Sequence, residues 1–314
     1  MLIDFIKCHG SGNDFPLIDA RGLALSDVEW AVVAQALADR AGPVGGDGIL
    51  LLSISNTTTY FAMRMFNSDG SEAETCLNGL RCVARAGFEA LGLDRATVQL
   101  KASTADVVRD PPLAPGVFTV RETAGPVDLD VTRWPLMGAT RLVDAVVPGL
   151  PGTRLFTALA IPNPHLISFV DAVDDAELSA IGAVCEAAPD WLPNRANVSF
   201  VETRGGDLFV RTFERGVGLT NSCGSAMAAS TFAACLTGRI EFDRPLTVFN
   251  RGGMVRASAT RGGMVTLSGN ATVEWRGSIK IDVATGALGA LQVTERFDDE
   301  VAAWNKVLAA IATT

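Results

Sequence analysis

The sequence has few histidines and lysines, and it lacks a long uninterrupted apolar run. Its 314 residues include only two histidines, His9 and His165, and four lysines. Every apolar stretch is interrupted before the ~18 residues that a membrane-spanning helix needs. Structural zinc sites depend on histidine and on closely spaced cysteine, so two histidines give little support to a metal centre. We therefore expect neither a membrane span nor a bound metal.

Positive charge is also scarce. The formal net charge is −9 and the isoelectric point is about 4.8, which argues against nucleic acid or an anionic membrane as a partner. Residues 1–7 lack the basic region and the long apolar region of a secretory signal, so we expect a cytoplasmic protein. The apolar fraction of 48% and the charged fraction of 19% are typical of globular proteins. The length suffices for two domains, each with its own core.

We do not expect the cysteines to form a disulfide framework, because the chain is long and residues 1–7 do not resemble a secretory signal. No Cys-x-x-Cys redox motif is present. Cys76 and Cys82 are six positions apart, outside the usual spacing of a zinc pair. Six residues of helix turn by about 240°, so we expect Cys82 to face away from Cys76 into the core. The six thiols are Cys8, Cys76, Cys82, Cys185, Cys223 and Cys235.

Two of these cysteines stand in a duplicated pattern. Each copy has a strand-like run, 60–66 or 208–213, whose last residue lies ten positions before a cysteine, Cys76 or Cys223. A helix rich in small residues then follows, to about residue 91 in the first copy and 237 in the second. Short strand-like segments follow each helix. We interpret this pattern as two repeats of a strand, loop, cysteine, helix and meander unit.

A cysteine at the start of a helix lies beside unpaired N–H groups and the positive end of the helix dipole, which favour a thiolate or a bound carboxylate. Two repeats facing each other would present two thiols to one substrate. One thiolate could remove the α-proton of an amino acid while the other thiol returns a proton on the opposite face. This chemistry needs no pyridoxal phosphate, and with only four lysines a pyridoxal site has little support.

The remaining pattern predicts the domain division. Proline and glycine interrupt the pattern near residues 122–126, so we predict an N-terminal half of 1–122 plus 272–314, which includes a C-terminal tail. The C-terminal half is predicted at 123–271. In the tail, apolar residues at 301, 304, 308 and 311 predict an amphipathic helix that docks on its own domain or on a partner.

Two polar segments have open interpretations. Ser26 and Glu29 form a capping box that predicts a helix to about residue 40. His165 follows Asn163 and Pro164, and the residues alone leave it as either a site residue or a loop histidine bonded to backbone. The segment around Asn13 is rich in turn-forming residues, which allows an ordinary turn as well as a binding loop.

Several short motifs stand in a fixed order along the chain. They are residues 9–15, 46–48, 67–82 and 163–165, Asn197, and residues 214–224. At these residues the chain resembles the diaminopimelate epimerase family of cofactor-independent, two-thiol enzymes. A set of motifs in this order, from His9 to about Gly277, points to the family far more specifically than any single motif does.

The resemblance implies an α+β fold of two pseudo-symmetric halves. Each half would be a barrel-like, mainly antiparallel sheet around a central helix, with the active site in the cleft between the halves. The implied catalytic residues are the bases Cys76 and Cys223, with His165 and Glu214 as polar neighbours that help to set thiol protonation. The implied substrate-binding residues are Asn13, Asn67, Leu77, Asn78, Asn163, Asn197, Glu214, Arg215, Gly224 and Ser225.

Within that set, Asn13, Asn78, Gly224 and Ser225 would hold the reacting amino-acid end of the substrate. Asn67, Asn197 and Arg215 would read its distal end. The implied reaction interconverts L,L- and meso-diaminopimelate in lysine and peptidoglycan precursor synthesis. The enzyme would be an isomerase and a homodimer, with a small-molecule substrate, no cofactor, no metal, no nucleic acid and no membrane.

Two positions depart from the family pattern. Leu77 follows the first cysteine where the family usually has glycine, and Ala226 replaces another glycine after the second. Two alternatives therefore stay open. One is a racemase of the same fold with a different amino-acid substrate, and the other is a catalytically silent amino-acid-binding module.

Overall fold

A computed structural model describes residues 1–311 of the protein. Within that range it contains 18 β-strands, five α-helices and one short 3-10 helix. The strands are β1 (Leu2–Gly10), β2 (Asn13–Asp19), β3 (Gly48–Ser53), β4 (Phe61–Asn67), β5 (Arg95–Gln99), β6 (Thr104–Asp110), β7 (Thr119–Ala124), β8 (Ala145–Val146), β9 (Leu155–Ala160), β10 (Pro164–Phe169), β11 (Asn197–Arg204), β12 (Asp207–Glu214), β13 (Gly218–Thr220), β14 (Leu246–Asn250), β15 (Gly253–Ala259), β16 (Val265–Asn270), β17 (Thr272–Lys280) and β18 (Gln292–Arg296). The helices are α1 (Asp27–Ala38), α2 (Leu77–Leu91), α3 (Asp175–Glu186), α4 (Gly224–Leu236) and α5 (Asp298–Ile311), and the 3-10 helix is Val131–Arg133.

The chain divides into two compact units. Unit 1 comprises Met1–Glu122 and the chain from Ser268 onward, and unit 2 comprises Thr123–Leu267. The last three residues of the predicted N-terminal half, 312–314, lie outside the described residues. Unit 1 is therefore built from two separate stretches of sequence, whereas unit 2 is continuous.

Unit 1 is a mainly antiparallel set of strands that surrounds α2. β1 pairs with both β2 and β17 in antiparallel fashion, with Leu2 opposite Lys280. The parallel pairs are β2 with β3 and β4 with β5. Helix α2 contacts each strand from β1 to β6. A second layer, α1, packs Trp30, Val33 and Leu37 against the outer side of these strands.

Sequence explains where these two helices begin. Ser26 caps α1, its side chain accepts the Glu29 backbone N–H, and the Glu29 carboxylate accepts the Ser26 backbone N–H at 2.7 Å. The predicted capping box is therefore confirmed. Cys76 occupies the equivalent position before α2, which ends at Gly92 in the left-handed conformation (φ 66°) that glycine adopts most easily. Cys82 is 3% exposed, as predicted for a core thiol.

Unit 2 repeats this plan around α4. Its strands β9 to β12, together with β15, contact α4, and all residues from Gly224 to Cys235 are buried. A helix that is small and apolar on every side belongs at the centre of a core. The core of this unit includes Phe156, Leu166 and Phe200.

The order of pairings is the same in both units. In unit 1, β2 is parallel to β3, β3 is antiparallel to β4, and β4 is parallel to β5. In unit 2, β10 is parallel to β11, β11 is antiparallel to β12, and β12 is parallel to β14. Helices α1 and α3 occupy equivalent positions between the first two strands, and α2 and α4 between the last two. The predicted α+β fold with a duplicated unit is confirmed.

The tail helix α5 packs on its own unit. Trp304 is 2% exposed, and its ring lies 6.0 Å from the ring of His9. Glu300 bonds the guanidinium of Arg85 at 2.6 and 2.7 Å. Within the described residues, the predicted amphipathic helix therefore docks on its own unit. Its buried residues include Ala303 and Val307, so the buried stripe is shifted slightly from the predicted one.

Candidate active site

The sulfur of Cys76 lies at the N-terminus of α2. Cys76 is the N-cap residue in an extended conformation (φ −148°, ψ 102°), and its sulfur accepts the backbone N–H of Gly79 at 3.3 Å. This is the helix-start position predicted from the sequence. An N–H donor and the positive end of the helix dipole both favour negative charge on sulfur. The residue is half-buried, so reagents can reach it.

Asn13 contacts this sulfur, and Asn78 contacts Asn13. The carboxamide oxygen of Asn13 lies 3.7 Å from the Cys76 sulfur and 3.5 Å from the Asn78 side-chain nitrogen. Asn13 begins β2 directly after a tight turn in which Gly12 has φ 78°. Asn78 lies in the first turn of α2 and is 2% exposed. The structure thus brings together three of the predicted site residues within unit 1.

Glycines allow the close approach of these segments. A Cβ atom at Gly10 would lie 2.5 Å from the Asn78 carbonyl oxygen. A Cβ atom at Gly79 would lie 2.6 Å from a Leu50 methyl carbon and 3.3 Å from the Cys76 sulfur. Contacts under 3.0 Å require the neighbouring atoms to move: at Gly10 the backbone of α2 would have to shift, whereas at Gly79 the end of the Leu50 side chain would.

Cys223 is the equivalent N-cap residue in unit 2. It precedes α4 in an extended conformation, is 8% exposed, and its sulfur lies 3.4 Å from the Ser225 hydroxyl. Burial raises the pKa of this thiol well above its usual value, and the charge of Glu214 raises it further. The Ser225 hydroxyl and the Ala226 N–H act in the opposite direction. The Cys223 side chain makes no capping hydrogen bond of ordinary geometry at the start of α4.

Glu214 lies at the end of β12, where the strand turns back into β13. Its carboxylate accepts a hydrogen bond of 2.5 Å from the Thr220 hydroxyl. Its charge acts on Cys223, so these two predicted residues are neighbours. Thr220 was not predicted from the sequence, where an isolated threonine carries no signal.

His165 is buried in β10, and the alternative of a loop histidine bonded to backbone is wrong. The side chain is fully buried, and its Nε2 atom lies 3.1 Å from the Asn163 side-chain oxygen. Its Nδ1 atom is buried without a hydrogen-bond partner. Burial, and secondarily the charge of Arg215, lower the pKa of His165 to about 3. The imidazole is therefore neutral at physiological pH.

Asn197 and Arg215 are joined through the backbone. Asn197 lies beside His165 in the parallel β10–β11 pair, and its side-chain oxygen accepts the Arg215 backbone N–H at 2.9 Å. The Asn197 side-chain nitrogen is buried without a partner. Arg215 is half-buried as a residue, and its guanidinium donates to the Asn194 carbonyl at 3.1 Å. The predicted distal residues of unit 2 thus lie next to His165.

The other predicted residues have less connected surroundings. Asn67 ends β4 and donates to the Ser71 hydroxyl at 2.9 Å, and none of its hydrogen bonds goes to the Cys76 group. Leu77 begins α2 and is 5% exposed, so its side chain is in the core. Gly224 begins α4 and is buried.

Charged residues behind the two asparagines were missed at the sequence level. Asp47 accepts a hydrogen bond from the Asn13 side-chain nitrogen. Arg81 donates to the Asn78 side-chain oxygen at 2.7 Å and to Glu122 at 2.7 Å, and both side chains of this ion pair are fully buried. Burial raises the pKa of Glu122 to about 7, against the effect of Arg81. The sequence signal for this pair is limited to an arginine one helical turn after Asn78.

Residues 1–311 contain no helix that is both long and apolar enough to cross a membrane. In the same range, no group of three or more histidine, cysteine, aspartate or glutamate side chains is arranged to hold a metal ion.

The sequence pattern of the diaminopimelate epimerase family matches residues 5–108 and 157–283. The chain belongs to this family. Membership confirms the resemblance and the expectation of an epimerase, which is an isomerase. The matched residues include both N-cap cysteines, while the 3-10 helix and α5 lie outside them.

Individual relatives match over nearly the whole chain. The chain is 38% identical over 288 residues to the diaminopimelate epimerase of Clostridium acetobutylicum, covering 89% of this chain and 86% of that protein. It is 38% identical to the Listeria monocytogenes diaminopimelate epimerase, covering 90% of each. These relatives therefore correspond to about nine-tenths of this chain.

Solved structures show the same fold at low sequence identity. A PhzF-family phenazine biosynthesis protein of Bacillus anthracis superposes with a TM-score of 0.65 at 15% identity, covering 90% of this chain and 100% of that chain. A hydroxyproline epimerase of Agrobacterium vitis gives a TM-score of 0.65 at 13% identity, covering 90% and 92%. These similarities confirm the predicted fold of this chain.

Proposed function

We propose that this protein is a diaminopimelate epimerase that interconverts the L,L and meso forms of its substrate without a cofactor. The observation that carries the proposal is the match, over about nine-tenths of the chain, to relatives with that name. Two cysteines at equivalent helix starts in two duplicated units support it. We further propose a role in lysine and peptidoglycan precursor synthesis, in the cytoplasm, by a homodimer.

The proposed mechanism uses two sulfur atoms as base and acid. One thiolate removes the α-proton from one face of the carbon, and the thiol of the other cysteine delivers a proton to the opposite face. Cys76 and Cys223 carry these roles, and they exchange them when the reaction runs in reverse. A positioned acid or base accelerates proton transfer by roughly 10²–10⁴-fold.

The α-carbanion needs further stabilisation, because the α-carbon is a weak acid. Backbone N–H groups at the starts of α2 and α4 are suited to hold the substrate carboxylate and the charge that develops on it. Asn13, Asn78 and Ser225 would orient the reacting end. The raised pKa of Cys223 makes this residue the protonated acid at rest, so deprotonation depends on the surroundings that substrate creates.

His165 and Glu214 have different roles in this proposal. Burial keeps Cys223 protonated until substrate arrives, and Glu214 adds to this effect because its negative charge opposes a thiolate. His165 is neutral, and its unpartnered Nδ1 atom is suited to a hydrogen bond with the bound amino acid. Asn67, Asn197 and Arg215 would recognise the distal end, and Asn163, Leu77 and Gly224 would complete the binding surface. We propose that residues 1–122 and 272–314, and residues 123–271, are the two functional halves.

The test is solvent exchange at the α-carbon. Incubation of the protein with L,L-diaminopimelate in D₂O should place deuterium at the α-carbon and produce the meso form. Cys76→Ser and Cys223→Ser should each abolish epimerisation. Cys82→Ala and Cys235→Ala are matched controls, since each buried thiol lies on the same helix as one catalytic residue.

The outcome also decides between the alternatives. Epimerisation that survives Cys223→Ser would contradict the two-base mechanism. No exchange with diaminopimelate, but exchange with another amino acid, would favour a racemase of different specificity. Binding without exchange would favour a silent binding module.

A further inference from the structure

A chain of hydrogen bonds with a charged group at each end runs through the two asparagines near Cys76. Asp47 accepts from the Asn13 side-chain nitrogen. The Asn13 oxygen accepts from the Asn78 nitrogen at 3.5 Å, and the Asn78 oxygen accepts from Arg81 at 2.7 Å. Each asparagine therefore donates to one neighbour and accepts from the other, whereas Asp47 only accepts and Arg81 only donates.

The charged ends fix the direction of this chain. An ionised carboxylate can only accept hydrogen bonds, and a guanidinium can only donate them, whereas an amide has a donor end and an acceptor end. Asp47 therefore requires the NH₂ group of Asn13, and Arg81 requires the oxygen of Asn78. Rotating either amide by 180° would place two donors or two acceptors against each other.

The direction determines what Cys76 encounters. With its NH₂ group held by Asp47, Asn13 presents its oxygen to the Cys76 sulfur at 3.7 Å. The sulfur thus has a hydrogen-bond acceptor on one side and the Gly79 N–H on the other. If Asn13 were reversed, a second donor would face the sulfur and would favour the thiolate.

The end of the chain at Arg81 is the more firmly held. Arg81 is fully buried and also bonds Glu122 at 2.7 Å, Ser11 at 3.2 Å and the Asn270 carbonyl at 3.1 Å. At the other end, Asp47 is exposed and is bonded by Arg40 at 2.7 Å. Water competes for an exposed carboxylate, so changes at Arg81 should have the larger effect.

We propose that Asp47 and Arg81 are positioning residues that set the orientation of the Asn13 and Asn78 amides and, through them, the state of Cys76. Neither residue belongs to the set predicted to touch substrate. The catalytic consequence rests on the proposed epimerase function, whereas the effect on Cys76 itself does not. A purely structural ion pair between Arg81 and Glu122 is the competing explanation.

The experiment separates these explanations with an apolar replacement. The double variant Arg81→Met/Glu122→Leu removes both charges together, and replacing a buried ion pair by apolar residues of similar volume is often neutral or stabilising. Asp47→Asn removes the opposite constraint without changing the size of the side chain. Arg81→Lys keeps the positive charge but has its donors on a single nitrogen, so it should recover part of the loss. All three are checked for folding by their thermal transitions.

Matched controls come from the same unit. Arg85→Lys alters the other buried arginine of α2, which pairs with Glu300 rather than with an asparagine. Asp27→Asn alters an exposed carboxylate that pairs with Arg64. Both controls should leave the Cys76 group as it is.

The main readout is the rate at which iodoacetamide alkylates Cys76, followed peptide by peptide by mass spectrometry, with Cys223 as the internal reference. We expect the double variant and Asp47→Asn to alkylate Cys76 at least about threefold faster, with Cys223 unchanged. We also expect kcat/KM for diaminopimelate to fall about tenfold, the effect of roughly one misplaced hydrogen bond.

Two results would overturn the proposal. One is a folded double variant whose Cys76 alkylation rate and kcat/KM equal those of the wild type. The other is equal acceleration at Cys76 and Cys223, which indicates general loosening. If the wild type has no epimerase activity but the variants still alkylate Cys76 selectively faster than the wild type does, the proposed function is refuted and the positioning role is supported.

Discussion

The Thr220 hydroxyl donates a 2.5 Å hydrogen bond to the Glu214 carboxylate, which lies close enough to Cys223 to oppose its ionisation. A hydroxyl donor stabilises the charged form of this carboxylate. The threonine therefore supports the negative charge that, after burial, is the second cause of the raised pKa of Cys223. This relationship leads directly to a prediction about thiol reactivity.

We predict that Glu214→Gln lowers the pKa of Cys223, because the substitution removes a negative charge without exposing the sulfur. Iodoacetamide should then alkylate Cys223 faster than in the wild type at pH 8, as measured by peptide mass spectrometry. Cys185 is the reference, since burial alone raises its pKa, to about 12. A rate at Cys223 that is unchanged or slower would contradict the assigned cause. Epimerase activity should fall in the same variant.

We predict that Gly10→Ala damages activity, because its Cβ atom would collide with the Asn78 backbone oxygen at 2.5 Å. The turn that carries Asn13 would have to move away from α2. The control is Gly22→Ala, where no atom lies within 4 Å of the new Cβ. The comparison is made by kcat/KM and by thermal unfolding. Equal activity of the two variants would mean that the turn moves without consequence.

Sequence patterns were sufficient for the local features of this protein. Cysteine at a helix start could be predicted at Cys76 and Cys223, because helix boundaries are set by nearby residues. The surroundings of His165 could not, because they arise when β10 becomes an interior strand between β9 and β11. The pairing of Arg81 with Glu122 joins residues 41 positions apart and depends on how β7 is placed. Short-range patterns carry no information about such contacts.

We predict that Arg215→Lys lowers kcat/KM for diaminopimelate although the charge is kept. A guanidinium can bind a carboxylate through two parallel hydrogen bonds, which an ammonium group cannot reproduce. For the wild type, amino acids with one carboxylate should react about one to two decades more slowly, since hydrogen bonds to a charged group contribute roughly 1.5–3 kcal/mol. Rates for histidine or alanine comparable to those for diaminopimelate would contradict the assignment of Arg215 to the distal carboxylate.

We predict that His9→Gln reduces the loss of stability in acid. Burial lowers the pKa of His9 to about 4 in the folded protein, whereas an unfolded histidine titrates near 6.5. Between these values only the unfolded state binds the proton, so stability is present above pH 6.5 and is lost as the pH falls. A histidine with a lowered pKa reduces the free energy of unfolding by about 1.4 kcal/mol for each unit by which the pH falls within this window.

The measurement is the free energy of unfolding of wild type and His9→Gln in urea at pH 6.0 and 5.0. Glu122, with a pKa raised to about 7, has an effect of the opposite sign over part of this range, but it is present in both proteins and cancels in the difference. Equal pH dependence of the two proteins would show that the pKa of His9 is the same in the folded and the unfolded state.

The split composition of unit 1 has a consequence for synthesis on the ribosome. Its first strand, β1, pairs with β17, and Trp304 packs on His9, so the partners of the first ten residues are among the last to be made. At roughly 5–20 residues per second, β1 waits about fifteen to fifty seconds for β17. Unit 2 is continuous and can fold first. We expect nascent chains in which residue 267 has just left the ribosome to protect unit 2 from proteolysis while β1 is still cleaved, so the oldest segment of the chain is the last to become native.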